Sequence, residues 1–137
     1  MPAGSAIIER YARLALGAAF LSAVAGRFGL WTGAPWAEAF GRFIDYTADV
    51  NAFMPAATIP WLAGAATAAE VTLGTALVVG IRVREAAFAS AVLLAIFGTA
   101  MAISFGPKSP LDYSVFSASA GALLLASRQP RPPEAPR

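Results

Sequence analysis

Cysteine and histidine are both missing from this 137-residue chain. That double absence excludes disulfide frameworks, CxxC redox chemistry, Cys/His zinc sites, iron–sulfur ligation and the usual haem ligands. Charge is scarce too. Only 13% of the residues are Asp, Glu, Lys or Arg, against about 25% in an ordinary soluble domain. Ten basic and eight acidic residues leave a net charge of +2, too small and too dispersed to draw in nucleic acid. There is no nucleophile–base pair, no phosphate-cradling glycine loop and no cluster of metal ligands, so autonomous enzyme activity is not expected.

What the chain has in quantity is apolar surface: 58% hydrophobic residues and a mean hydropathy of +0.63. The mostly apolar runs fall at about 11–31, 60–81, 86–105 and 111–127, the first interrupted only by Arg13 near its start and Arg27 near its end. A bilayer core takes ~20 mostly apolar residues per helix. The spacing therefore predicts an all-α integral membrane four-helix bundle, one domain over residues 1–127. Small residues at steps of four, Ala18, Ser22 and Gly26 in the first span, predict a close-packing seam. Ser90, Leu94 and Gly98 repeat the pattern in the third, and Ser114, Ser117 and Gly121 predict a sheltered face on the fourth. A rival reading makes the start a signal peptide cleaved after Ala23-Val24-Ala25; the three later runs favour retention.

Between the first two runs, Trp36, Phe40, Phe43, Ile44, Thr47 and Val50 recur at helical spacing, with Glu38, Arg42, Asp45 and Asp49 on the other side. This predicts an amphipathic helix over about 35–50. It is expected to lie in the membrane interface with its aromatics toward the acyl chains; the alternative is a lid packed on the bundle. Residues 128–137, rich in Pro and Arg, are expected to be a disordered cytoplasmic tail. Arg10, Arg13, Arg82, Arg84, Arg128, Arg131 and Arg137 collect on one side of a four-span layout, and Arg42 and Lys108 on the other. The bias places both termini in the cytoplasm, in a multi-pass protein of the cytoplasmic (inner) membrane.

One acid interrupts the second run. Glu70 stands near its middle, where a charge costs at least ~2.5 kcal/mol on insertion scales. Ala63, Ala66, Thr67, Leu73, Gly74 and Leu77 share its face. Three readings stay open: a structural clamp bonded to Thr67 or to a serine of the fourth span, an ion pair with Arg27, or a site handling a proton or ligand. Counted from the outer helix ends, Arg27 and Glu70 differ in depth by ~9 Å. Asp112, just after Pro110, reads as a helix cap, and Tyr113 as an interfacial anchor. In the ligand-binding reading, Arg27, Asp112 and Tyr113 line the mouth of a cavity floored by Glu70, a shape suited to a quinone head group.

Several residues together carry a resemblance. They are Arg13 with the Gly17-to-Arg27 run, the Glu70-x-x-x-Gly74-x-x-x-x-x-Gly80 pattern followed by Arg82 and Arg84, and Lys108-Ser109-Pro110-Leu111-Asp112-Tyr113-Ser114. Over roughly residues 10–127 the chain resembles the DoxX family of small four-span membrane proteins. The resemblance implies a redox-associated role: a non-catalytic or quinone-side subunit of a membrane oxidoreductase system. Some relatives handle sulfur compounds and thiols, a chemistry that the lack of cysteine removes here. Its alternative is a stand-alone protein binding a quinone or another small lipophile, with a small proton-coupled transporter behind both. The expected partners are the lipid bilayer, a membrane or peripheral oxidoreductase and further copies of the chain. No covalently bound cofactor is expected.

Overall fold

The computed structural model describes residues 3–130, which are helix and turn without a strand. Six α-helices follow in order: α1 (Ala3–Arg27), α2 (Trp36–Val50), α3 (Ile59–Val79), α4 (Val83–Phe105), α5 (Lys108–Asp112) and α6 (Val115–Arg128), with a 3-10 turn at Ala56–Thr58 leading into α3. Two stretches are long and apolar enough to cross a membrane: Ala56–Val79, 24 residues at a mean hydropathy of 1.6, and Val83–Phe105, 23 residues at 2.2.

The helices associate as two close pairs. In the first, α1 lies along α3, and Gly17 and Gly74 let their backbones touch. A Cβ built at Gly17 would stand 2.8 Å from the Gly74 carbonyl oxygen. In the second, α4 lies along α6. The Phe116 ring fills the notch at Gly98, and Ser119 Oγ donates to the Ala91 carbonyl at 2.7 Å. Phe20, Leu77, Ala86, Ala87, Leu125 and Ala126 form the core that joins the pairs near the α3–α4 turn. That turn is made by Gly80 (φ 88°) and Arg82 (φ 46°), both left-handed. Arg13 lays its guanidinium against Gly80, where a cation complements the C-terminal dipole of α3.

Toward the other end, α2 lies across the tips of α1, α3 and α4. Phe28 stacks on Phe40 at 5.6 Å, Tyr46 meets Phe105 at 6.4 Å, and Ser104 Oγ donates to the Val50 carbonyl at 2.5 Å. Asn51 ends α2, its side-chain amide donating to the Thr47 carbonyl at 2.9 Å. Glu38, Arg42, Asp45 and Asp49 are all exposed. The amphipathic pattern is thus realised as a lid: the face expected to meet acyl chains packs mainly on the bundle.

Four expectations need correction. The first helix ends at Arg27 rather than near Trp31, because Gly29 (φ 76°) closes it with bonds from its own N–H to the Gly26 carbonyl and from Leu30 N–H to the Ala25 carbonyl. That is the Schellman pattern, which needs a left-handed residue at this position. The seam Ala18–Ser22–Gly26 is exposed; Gly17 makes the α1–α3 contact, and Trp31 folds back so that its Nε1 donates to the Ser22 carbonyl at 3.1 Å. The run 111–127 is broken, since Ser114 (φ 55°) separates α5 from α6. Finally, Ser114 and Ser117 point outward, and α6 buries Ala122, Leu125 and Ala126 instead. The tail expected from 128 lies, from residue 131 on, outside the described residues.

Candidate functional site

Arg27 is the last residue of α1, and Glu70 lies in the middle of α3. From the Gly17–Gly74 contact, Arg27 is ten residues up α1, ~15 Å, and Glu70 is four residues up the antiparallel α3, ~6 Å. The ~9 Å gap is closed by side-chain direction. Helical side chains lean toward their own N-terminus, so Arg27 leans down toward Glu70 while Glu70 leans up toward Arg27.

The two form an ion pair between Arg27 Nη1 and Glu70 Oε2, with side chains only 11% and 5% exposed. Arg27 Nη1 also donates to Thr67 Oγ1 at 3.1 Å, and that hydroxyl donates to the Ala63 carbonyl at 2.8 Å. Phe43 of α2 covers the guanidinium, its ring centroid 3.8 Å from Arg27 Cζ, a favourable cation–π geometry. Hydrogen bond and carboxylate are both served by Nη1. Among the described residues, no other N–H of this guanidinium donates a hydrogen bond.

The pair opens on a cavity of about 200 Å³. It lies where the two helix pairs part, under α2. Arg27 and Glu70 supply its charge; Leu62, Ile96, Phe97 and Met101 supply apolar wall; Tyr46 and Asn51 stand on the α2 side. Burial, then the nearby Tyr113, hold the Tyr46 phenol above its ordinary value of 10.0. An apolar cavity of roughly 150 Å³ takes up benzene, so this one has room for a single substituted ring. Chemically it offers a charged hydrogen-bond donor beside a carboxylate, in a chamber walled mainly by apolar side chains. That suits an uncharged acceptor such as a ring carbonyl.

Of the four residues expected to bind a ligand, the structure brings Arg27 and Glu70 together and leaves Asp112 and Tyr113 outside the lining. Asp112 closes α5 instead of opening a helix, and accepts from Lys108 Nζ at 2.5 Å on the surface. Tyr113 is 75% exposed and reaches the cavity only through its influence on Tyr46. The clamp from Glu70 to Thr67 is replaced by one from Arg27 to Thr67. Sequence reasoning missed Tyr46, Asn51, Phe97 and Met101. Tyr46 and Asn51 flank the apolar stripe Phe43–Thr47–Val50, and that stripe was the available signal once its destination was known to be the bundle.

Comparison with family models, curated proteins and solved structures found no match for this chain.

Proposed function

We propose that this is a four-crossing membrane protein that binds a small uncharged lipophile, of the quinone class, at the Arg27–Glu70 pair. The observation that carries the ligand reading is a buried ion pair that lines a mainly apolar cavity and leaves guanidinium N–H groups without a hydrogen bond among the described residues. A purely structural pair would be expected to sit in closed packing, because an incompletely satisfied buried charge is costly.

The membrane reading draws on the surface. Large apolar side chains are exposed along the helices, among them Leu14, Val71, Val92, Ile96, Ile103 and Leu124. All three tryptophans, Trp31, Trp36 and Trp61, are exposed at the α2 end, as in the aromatic belt of a membrane interface. Arg10, Arg13, Arg82, Arg84 and Arg128 lie at the opposite end, the cytoplasmic one by the charge rule. In this arrangement α1, α3 and α4 cross singly, and α5 with α6 makes the fourth crossing. The lid α2 faces outward.

The DoxX-like motifs add a partner to this proposal: a membrane oxidoreductase that the protein serves from the quinone side. A proton-coupled exporter is less well supported, because its carboxylate must exchange protons with water, and Glu70 is 4% exposed and paired.

The test is equilibrium binding of a tail-less dimethoxy-methyl-benzoquinone to protein purified in mild detergent. A charge-assisted hydrogen bond is worth about 1.5–3 kcal/mol, so Arg27→Gln combined with Glu70→Gln is expected to weaken binding roughly 10- to 100-fold. The double change keeps hydrogen-bonding groups in place and strands no charge. Unaltered affinity in a folded double variant rules the site out.

A further inference from the structure

We propose that the ligand enters sideways from the bilayer and is two-part: an uncharged head in the cavity and an apolar tail in a groove along α4. The proposal rests on the lipophile-binding reading above and extends it to the route and the ligand's shape.

The cavity's outer wall is shared with a second hollow. Asn51, Leu62, Ile96 and Ala100 line both, and the second, of about 590 Å³, lies on the outer side. One bank of that hollow is a single stripe of α4: Val92, Ile96, Thr99 and Ile103, at steps of four, three and four. Phe53 and Met54, from the segment between α2 and α3, form the other bank. Val92, Ile96 and Ile103 are 45%, 58% and 64% exposed, so this bank faces whatever surrounds the helices. From Val92 to Ile103 is eleven residues, ~16 Å of helix.

Both polar side chains of the groove already donate a hydrogen bond to backbone. Thr99 Oγ1 donates to the Ala95 carbonyl at 2.7 Å, and the Asn51 amide donates to the Thr47 carbonyl. The groove therefore has little to hold a polar head, while the cavity has Arg27. Because the two hollows share this boundary, a single occupant reaching across it has both parts. The charge of its head follows from the pair. A carboxylate would lie against Glu70 and an ammonium against Arg27, whereas a carbonyl oxygen accepts from Arg27 and adds no charge.

Ala95 and Thr99 line the groove and not the cavity, so they separate tail from head. The experiment compares the tail-less benzoquinone with its decyl-tailed counterpart on detergent-purified wild type, Ala95→Phe and Thr99→Phe. In the wild type the decyl form is expected to bind at least ~10-fold more tightly, the gain from burying about two methylenes. Both variants are expected to lose that advantage and to keep the tail-less affinity within about 2-fold. Equal affinity of the two quinones in the wild type overturns the groove, as does an advantage that survives in both folded variants; the head site then stands on the tail-less binding alone. If the wild type binds neither quinone, the lipophile-binding reading falls and the groove falls with it.

Discussion

Gly17 and Gly74 meet backbone to backbone, and their contact sets the distance across which Arg27 reaches Glu70. A Cβ at Gly17 would stand 2.7 Å from Val78 Cγ2 and 2.8 Å from the Gly74 carbonyl oxygen. The methyl group could turn away; the carbonyl belongs to a helix and cannot.

Gly17→Ala is therefore expected to push α1 off α3 and destabilise the protein by about 1–3 kcal/mol, the usual cost of overpacking. Gly64→Ala serves as the control. It lies in the same helix as Gly74 with nothing within 4 Å of its added Cβ, and should be neutral or stabilising by about 0.5–1 kcal/mol. Thermal unfolding in one detergent compares the three proteins. Equal loss in both variants would mean that the close contact is not what the glycine serves.

Arg27 and Glu70 should behave as a unit. Removing one partner of a buried pair leaves the other uncompensated and costs roughly 3–5 kcal/mol. Arg27→Met and Glu70→Leu are each expected to fall in that range. The double variant should be more stable than either single one, since an apolar replacement of a whole buried pair is often neutral. A double-mutant cycle measures the coupling. Additive losses would show that each residue is held by other neighbours.

The helices themselves were legible because hydrophobic runs and amphipathic spacing are local signals. The apolar run over 60–81 appears as the helix Ile59–Val79, and the helix expected over 35–50 as Trp36–Val50. The face shared by Glu70, Ala63, Gly74 and Leu77 is buried as its spacing implied. What failed was decided by backbone conformation or by tertiary partners. Gly29 stops α1 inside an apolar run, and Ser114 breaks another with a left-handed turn that serine seldom takes. The ion pair stayed one of three readings, because two side chains reaching toward each other were expected to cover the ~9 Å mismatch only in part; the structure shows that they close it. The cavity was placed only in part: Arg27 and Glu70 line it, Asp112 and Tyr113 do not, and its other walls were not foreseen. It depends on where α2 folds back, and periodicity reports which face is apolar without saying what covers it.

Tyr46 gives the site a pH signature. Its phenol is held above 10.0 in the folded protein, first by burial and then by Tyr113. The folded state thus keeps this proton more tightly than the unfolded chain does. Its contribution to stability is fully present below the unfolded value and is lost as the pH rises from there through the folded value. Tyr46→Phe should flatten the alkaline limb of a stability–pH profile above about pH 10 and leave the profile at pH 7 unchanged in shape. An identical alkaline limb in the variant would remove Tyr46 from the account.

The membrane layout can be tested in an otherwise native chain, because it contains no cysteine to remove. Single cysteines at Glu9, Asp49, Glu85, Lys108 and Ser127 report the ends of the proposed crossings. Val71, 41% exposed near the middle of α3, reports the apolar belt. With an impermeant maleimide on intact cells, Asp49→Cys and Lys108→Cys should label at once. Glu9→Cys, Glu85→Cys and Ser127→Cys should label only after the membrane is opened, and Val71→Cys under neither condition. The decisive comparison is Lys108 against Ser127. Between them lie α5 and α6, the latter only 14 residues long, or ~21 Å of helix, short of a ~30 Å hydrocarbon core by itself. Opposite-side labelling of these two positions means that α5 and α6 together complete a fourth crossing. Same-side labelling would make α6 a helix that enters and stops, and would leave the cavity's outer groove in a three-crossing protein.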